Sequence, residues 1–333
     1  MTNSAQVDPP RTSARASPAA ATTSGRRSDG SGVPRRRRPQ RRRSRLAPYL
    51  FVAPYAVFLL GFGIAPAIYG AYRSLFAPTQ SGGSHFAPLD TWGGVLSDYR
   101  LGDSVGNVAT YLVMWMPAML VLIFALALAL HARPGRFAGA MRFVYYVPGA
   151  ITGSAAALLW LFMLSPQVSP FSPVLRAFGV DSASEAIGAH TSLVMALMGI
   201  AIHAGGWIVI VYAALVALPR DVLDAAVVDG ASGWQLATRI KLPMVSRYGA
   251  LILISTFAAG TQVFVEPTVL GTGVPGQISP TWSINQLAYY FATQQGDFGK
   301  AAALSLALLL VGLVVALVVI YRTKFYATDK ELG

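Results

Sequence analysis

Apolar positions along this chain gather into six long runs separated by polar turns. The runs cover approximately Tyr49–Tyr72, Val108–Leu130, Phe143–Leu164, Ser192–Leu218, Tyr248–Leu270 and Ala301–Tyr321. Each has about the length, roughly 20 apolar residues, that a helix needs to cross the hydrocarbon core of a bilayer. The pattern predicts an all-α membrane protein of six transmembrane helices. Pro54, Pro66, Pro117 and Pro148 fall within or near these runs. They predict kinks, which a membrane helix tolerates where its neighbours supply partners for the freed backbone groups. Gly149 and Gly153 have the four-residue spacing of a close helix-packing pair.

The turns between the runs differ in charge, and the difference sets an orientation. The turn over 131–142 carries Arg133, Arg136 and Arg142 without an acid, and that over 219–247 carries Arg220, Arg239, Lys241 and Arg247. Arg322, Lys324 and Lys330 follow the last run, whereas the alternate turns hold few basic residues: Arg73 and Arg100 in one, Arg176 in the next. Basic residues accumulate on the cytoplasmic side. Both ends and the 219–247 turn are therefore expected in the cytoplasm. The outer turns, 77–107, 166–191 and 271–299, are long and carry Phe86, Trp92, Tyr99, Phe171 and Trp282. Loops of that length are often functional. These are read either as docking surfaces for an extracytoplasmic partner or as solvated connectors with a few packed rings.

Composition sharpens this picture. The 333 residues are 54% hydrophobic and only 12% charged, with a mean hydropathy of +0.51, a membrane composition. The absence of cysteine excludes disulfides, thiolate metal sites and cysteine nucleophiles. His85, His131, His190 and His203 are scattered without metal-ligand spacing. The net charge of +12 is concentrated in residues 1–45, which hold 12 Arg against Asp8 and Asp29. That segment is Ser, Ala, Pro, Gly and Arg, too polar to bury a core, and is expected to be disordered. Nucleic-acid binding is disfavoured because no aromatics interleave with the arginines and no binding fold follows. A twin-arginine export signal is disfavoured because the apolar run behind it is long and lacks a small-residue cleavage site. The tail reads as a cytoplasmic anchor touching anionic membrane lipid. The domain plan is then a disordered tail over 1–45, a six-helix transmembrane body over 46–325 and a short tail over 326–333.

Residues 219–247, PRDVLDAAVVDGASGWQLATRIKLPMVSR, form the most specific segment. Pro219 and Asp221 are a helix-start signal, and Asp221 with Asp224 has capping-box spacing. Gly230 and Gly233 break the first helix after two turns. A second short helix is expected from about Trp234 to Lys241, with Pro243 preventing its continuation.

This segment resembles the EAA loop of ABC-importer permeases, whose pattern is roughly E-A-A-x-x-D-G-A, then W/x-Q, then I-x-L-P. Here Asp224-Ala225-Ala226, Asp229-Gly230-Ala231, Trp234-Gln235, Ile240 and Leu242-Pro243 stand in register. Asp224 replaces the family's Glu, Ala237 stands where an aromatic is common, and Arg247 where a proline often follows. The shorter Asp224 puts the family's salt bridge in doubt. Weaker resemblances run over about 48–325, toward the maltose- and glycerol-phosphate-type (carbohydrate) permeases. They comprise Gly106-Asn107, Ala125–Arg136, Arg142-Phe143 with Pro148, Trp160, Ser165-Pro166, Gly271–Gly276 and the basic aromatic end Tyr321–Phe325. The resemblance implies the type I ABC-importer permease fold. It also implies a maltose-F-like chain paired with a second, maltose-G-like permease subunit, two ATPase subunits and an extracytoplasmic solute-binding protein. Asp224, Ala225, Ala226, Asp229, Gly230, Ala231, Leu242 and Pro243 would then form the ATPase-coupling surface, with alternating access as the mechanism. The chain lacks the phosphate-cradling G-x-x-x-x-G-K-[ST] motif. ATP and magnesium are therefore expected in the partner ATPase and not as cofactors of this chain.

Polar and aromatic residues inside the runs are the candidates for a solute pathway: Trp160, His203, Trp207, Gln262 and Glu266. Aromatic faces with nearby hydrogen-bonding groups suit sugar rings. The same residues also read as buried hydrogen-bonded structure or interfacial belting. Permeases for polyamine, phosphate or peptide share the loop and stay open as alternatives. An ion-coupled secondary transporter would want paired intramembrane carboxylates, and Glu266 stands nearly alone. A membrane enzyme would want clustered His, Asp or Ser at a membrane face, and no such catalytic cluster is legible.

Overall fold

The computed structural model describes residues 47–79, 83–151 and 153–323. The arginine-rich tail over 1–45 and the tail over 326–333 lie outside the described residues. The chain divides into two units, residues 1–54 and 55–333. Of the first, the described part is helical from Ala47 onward; the second holds all that follows.

Among the described residues, four helical stretches are long and apolar enough to cross a membrane: Tyr49–Arg73, Tyr99–Ala132, Ala183–Val216 and Phe298–Arg322. The count reaches six if two bent pairs are each one span, Arg136–Ala150 with Gly153–Met163, and Gly233–Val245 with Arg247–Thr261. The first stretch consists of α1 (Ala47–Phe58), a π-helical turn over Leu59–Ile64, and α2 (Ala65–Arg73). The wide turn has a local cause. Pro66 has no N–H, and its ring would crowd the carbonyl four residues back. The backbone opens instead, and the Ala65 N–H donates to the Leu60 carbonyl.

A short hairpin, β1 (Phe76–Pro78) with β2 (Ser84–Phe86), and α3 (Pro88–Leu96) follow. Then comes α4 (Tyr99–Ala132), which starts nine residues before the predicted Val108. Its extension is stabilised by Asp98, whose side chain accepts from the Arg100 N–H at 2.9 Å. The third apolar run is divided into α5 (Arg136–Ala150) and α6 (Gly153–Met163). Pro148 lies in the last turn of α5, Ile151 is extended, and Gly153 has φ +61°. The pairing of Gly149 with Gly153 is therefore corrected. Gly149 does pack closely, since a Cβ there would lie 2.7 Å from the Ile202 carbonyl oxygen, but Gly153 meets nothing within 4 Å and serves the turn.

After α7 (Ser172–Ala177), α8 (Ala183–Val216) also begins before its predicted Ser192. The side chain of Ser182 caps it, and the helix leaves helical geometry at His190. In the hairpin come α9 (Arg220–Val228), α10 (Gly233–Gln235), a second π-helical turn over Leu236–Lys241, and α11 (Leu242–Val245). Next is α12 (Arg247–Thr261). The predicted fifth span to Leu270 is broken: Gln262–Phe264 are not helical, and a separate α13 covers Val265–Gly273. Pro267 sits in the first turn of α13, where its missing N–H removes no intrahelical bond. It therefore starts a new helix instead of extending the old one. The chain ends with α14 (Ile284–Thr293) and α15 (Phe298–Arg322).

The core is the contact between α4 and α8, the most extensive helix pair. Along α4 the buried residues Val108, Tyr111, Leu112, Trp115, Met119, Ile123 and Ala127 recur at three- and four-residue steps, which places them on one face. On α8, Gly205 lets the backbone of α5 come into contact: a Cβ there would collide with the Tyr145 carbonyl. The outward faces remain apolar, with Phe51, Phe62, Val113 and Phe143 all exposed. In water such a surface would drive association; facing lipid it is the expected one.

The outer turns are structured. Trp282 is buried and Trp92 packs on the core, while Phe86, Tyr99 and Phe171 are exposed. The Asn107 amide donates to the Trp282 carbonyl, and the Ser104 hydroxyl donates to that of Thr281. These bonds fasten the start of α4 to the segment that enters α14.

Candidate functional site

Two places gather the residues singled out by sequence. The first is the hairpin. Helix α9 ends in a Schellman motif: the Gly230 N–H donates to Val227 O at 3.0 Å and the Ala231 N–H to Ala226 O at 3.0 Å. Gly230 has φ +81°, a conformation that favours glycine. Ala226 is buried, while Asp224, Ala225 and Asp229 are exposed and Ala231 is half-buried; the helix that carries them touches the Leu236–Lys241 turn. Among the described residues, neither Asp224 nor Asp229 has an ion-pair partner.

Two expectations for the hairpin need correction. Pro219 is the N-cap of α9 and no side chain caps it, so Asp221 and Asp224 form no capping box. The box lies in the second arm, where Ser232 Oγ accepts from the Gln235 N–H and Gln235 Oε1 accepts from the Ser232 N–H. Pro243 also does not stop the second arm. The chain widens into a π-helical turn, with the Leu242 N–H donating to Ala237 O, and Pro243 then occupies the first turn of α11. This is the device used before Pro66. Pro243 is exposed, whereas Leu242 packs on the core.

The second arm is tied to the body. Lys241 Nζ donates to His131 Nδ1 in the last turn of α4 at 3.1 Å, and α11 touches α8. The first arm instead presents Val222, Val227, Val228 and, across the turn, Trp234 to the exterior.

The second place is a cavity of about 250 Å³. It collects three of the five pathway candidates, His203 from α8, Gln262 from the break, and Glu266 from α13, and it adds Tyr111 and Trp115 from α4. The rings of Tyr111 and Trp115 stack at 5.1 Å, and His203 meets Trp115 edge-on at 5.4 Å. Space for the indole is made by two glycines. A Cβ at Gly199 would lie 2.9 Å from Trp115 Nε1, and one at Gly260 would lie 2.9 Å from Trp115 Cζ3. Trp115 is buried, and its indole N–H has no partner among the described residues. A buried donor without a partner is costly, so a cavity beside it is a natural place for a ligand oxygen. His203 Nδ1 lies 3.0 Å from Gly199 O. The broken helix end is held by Asn285, whose amide donates to Gln262 O at 2.9 Å. Broken helices inside membranes occur where the loosened backbone lines a cavity.

Trp160 and Trp207 are not brought to this cavity; both pack against the core. Tyr111 and Trp115 escaped sequence reasoning because an aromatic pair four residues apart in an apolar run looks the same toward lipid as toward a pore. The signal that could have found them was the glycines set into the facing runs. Phe264, also in the break, borders this cavity and a wider one of about 820 Å³ beside Tyr289 and Tyr290.

Helices of membrane-crossing length around a polar-lined cavity, with a polar hairpin tied to their ends, describe a transport subunit. The chain belongs to the family of binding-protein-dependent transport system inner membrane components, whose model matches residues 91–323. It is similar to the probable ABC transporter permease protein YurN of Bacillus subtilis, 26% identical over 86% of this chain and 98% of that protein. It is also similar to the alpha-glucoside transport system permease protein AglF of Rhizobium meliloti, 26% identical over 80% of this chain and 79% of that one. A third relative is the sn-glycerol-3-phosphate transport system permease protein UgpA of Agrobacterium fabrum, 28% identical over 82% and 92%. A chain in the crystal structure of a bacterial alginate ABC transporter in complex with alginate pentasaccharide-bound periplasmic protein shares the fold. It superposes with a TM-score of 0.70 at 21% identity, over 83% of this chain and 93% of that one. The chain is thus a non-catalytic permease subunit of an ABC importer in the inner membrane.

Proposed function

We propose that this permease moves a sugar or related carbohydrate, delivered by an extracytoplasmic binding protein, by alternating access. In this reading six spans cross the membrane with both ends cytoplasmic. The chain pairs with a second, maltose-G-like permease, and two ATPase subunits carry the ATP and magnesium. The observation that supports it most is the cavity, where aromatic rings and hydrogen-bonding groups from α4, α8 and the α12–α13 break converge. A sugar offers C–H faces and hydroxyl edges to such a lining. The alpha-glucoside relative favours the same solute class.

The hairpin is the coupling element of this proposal. Its exposed first arm docks on an ATPase subunit, and its second arm passes the movement to α4 through Lys241 and His131 and to α8 through α11. From His131 to Trp115 is about 24 Å along a continuous helix, at roughly 1.5 Å per residue. Closure of the ATPase pair would rock α4 and α8 as rigid bodies and so reshape the cavity they wall. Asp224 is free at the surface to meet a basic residue of the ATPase. The test is uptake of a radiolabelled carbohydrate panel by proteoliposomes holding the whole complex and its binding protein. Uptake is expected to follow ATP and to survive collapse of ion gradients; uptake driven by a gradient without ATP would overturn the proposal.

A further inference from the structure

We infer that Glu266 makes the cavity selective for uncharged saccharides and against anionic ones, such as phosphorylated sugars and uronates; this rests on the carbohydrate reading above. Among the described residues, the ionisable groups bordering the cavity are Glu266, His203 and Tyr111, and no Lys or Arg lines it. Recognition of a phosphate or carboxylate ordinarily uses a guanidinium, an ammonium or a free helix N-terminus. Arg100 and Lys300 are held elsewhere, paired at 3.7 Å with Asp98 and Asp297, and neither borders the cavity.

One helix N-terminus does open there, that of α13, with Val265 and Glu266 on the cavity wall. Glu266 lies in its first turn, so an acidic side chain already takes the positive end that an anionic ligand would seek. Pro267 next to it removes one of the free N–H donors. The remaining polar lining is suited to hydroxyls: the indole N–H of Trp115, which has no partner among the described residues, the imidazole of His203 and the carboxamide of Gln262. At about 250 Å³ the cavity is smaller than the roughly 300–1,000 Å³ of pockets enclosing drug-sized ligands, which matches one sugar ring at a time. A second anion would sit beside a half-buried carboxyl group in a poorly screened space. Like charges repel strongly there.

The experiment is equilibrium titration of the full-length chain, purified with its partner subunits in nanodiscs. The probes are glucose, methyl α-glucoside and maltose on one side, glucose 6-phosphate and glucuronate on the other. The wild type is expected to bind at least one uncharged probe, and both acidic probes at least about tenfold more weakly. Glu266→Gln is expected to narrow that ratio to within about threefold, and Glu266→Lys to invert it, while Glu266→Asp keeps it. A general loss of structure would move both arms together and leave the ratio unchanged. Equal binding of acidic and uncharged probes by the wild type, or an unchanged ratio in a Glu266→Gln variant that binds the uncharged probe as the wild type does, overturns the inference while the carbohydrate reading stands. If no probe of either kind binds the wild type, both the carbohydrate reading and this inference are overturned.

Discussion

The hairpin and the cavity are built on opposite principles. The hairpin is contiguous, and its shape is held by short-range bonds: a Schellman turn at Gly230, a capping box at Ser232, and a widened helical turn that accommodates Pro243. The cavity draws on residues as far apart in sequence as Tyr111 and Glu266, and no local bond joins them. Its form comes from how closely α4, α8 and α12 approach, which Gly199 and Gly260 permit. A site made of local structure can be damaged without disturbing the body, whereas a site made of packing cannot.

Substitutions in the two regions should therefore fail differently. The largest effect is expected from Gly230→Asp or Ala226→Asp, each abolishing uptake while immunoblots show normal amounts in the membrane. For Gly230→Asp, a side chain in left-handed backbone costs about 1–2 kcal/mol, too little to unfold a body stable by about 5–15 kcal/mol, so the loss would lie in docking; Ala226→Asp puts a charge at a buried position of the same helix and is expected to disrupt the hairpin locally. Normal uptake by either variant would end the assignment of this hairpin as the coupling element. Next come Gly199→Leu and Gly260→Val, which push a side chain into the indole slot. Overpacking of this kind costs about 1–3 kcal/mol, so the thermal unfolding midpoint in detergent should fall together with uptake. An unchanged midpoint in both would mean that the slot yields, and the contrast between the regions would weaken.

Trp115→Phe is milder, since it keeps a ring and removes the N–H. Solute affinity should drop by about 0.5–1.5 kcal/mol, the net worth of one hydrogen bond, and the smaller ring leaves a void in the packed slot, so the unfolding midpoint should fall slightly as well. Titration calorimetry beside a melting curve separates the two readouts. Ser232→Ala should have the smallest effect, about 1 kcal/mol of local helix stability. Faster amide exchange confined to Gly233–Leu236 would report it, and exchange spreading into α4 would contradict the local character of the hairpin.

The hairpin was legible because its signals lie within a few residues of one another. The errors in it were local too. Asp221 and Asp224 have capping-box spacing, but Ser232-x-x-Gln235 was the better match and lies beside a glycine turn. Pro243 reads as a stop only if the helix stays at 3.6 residues per turn, and a wider turn removes the conflict. In the cavity, His203, Gln262 and Glu266 could be chosen because polar groups in apolar runs are costly without a purpose. Trp160 and Trp207 share the aromatic type but pack elsewhere, whereas Tyr111 and Trp115, of the same type, line the cavity.

Hydrophobic run lengths, the arginine distribution and the EAA-like spacing are one-dimensional properties. They sufficed for the class of protein, its membrane setting and the hairpin, because transfer into lipid and short-range turns depend on composition and near neighbours. Which aromatic faces a pore, where the fifth run breaks, and that a single carboxyl group stands at the mouth of α13 required the packed molecule. Those features arise from contacts between helices distant in sequence, and the apolar runs that supply them are uniform enough to allow many such arrangements.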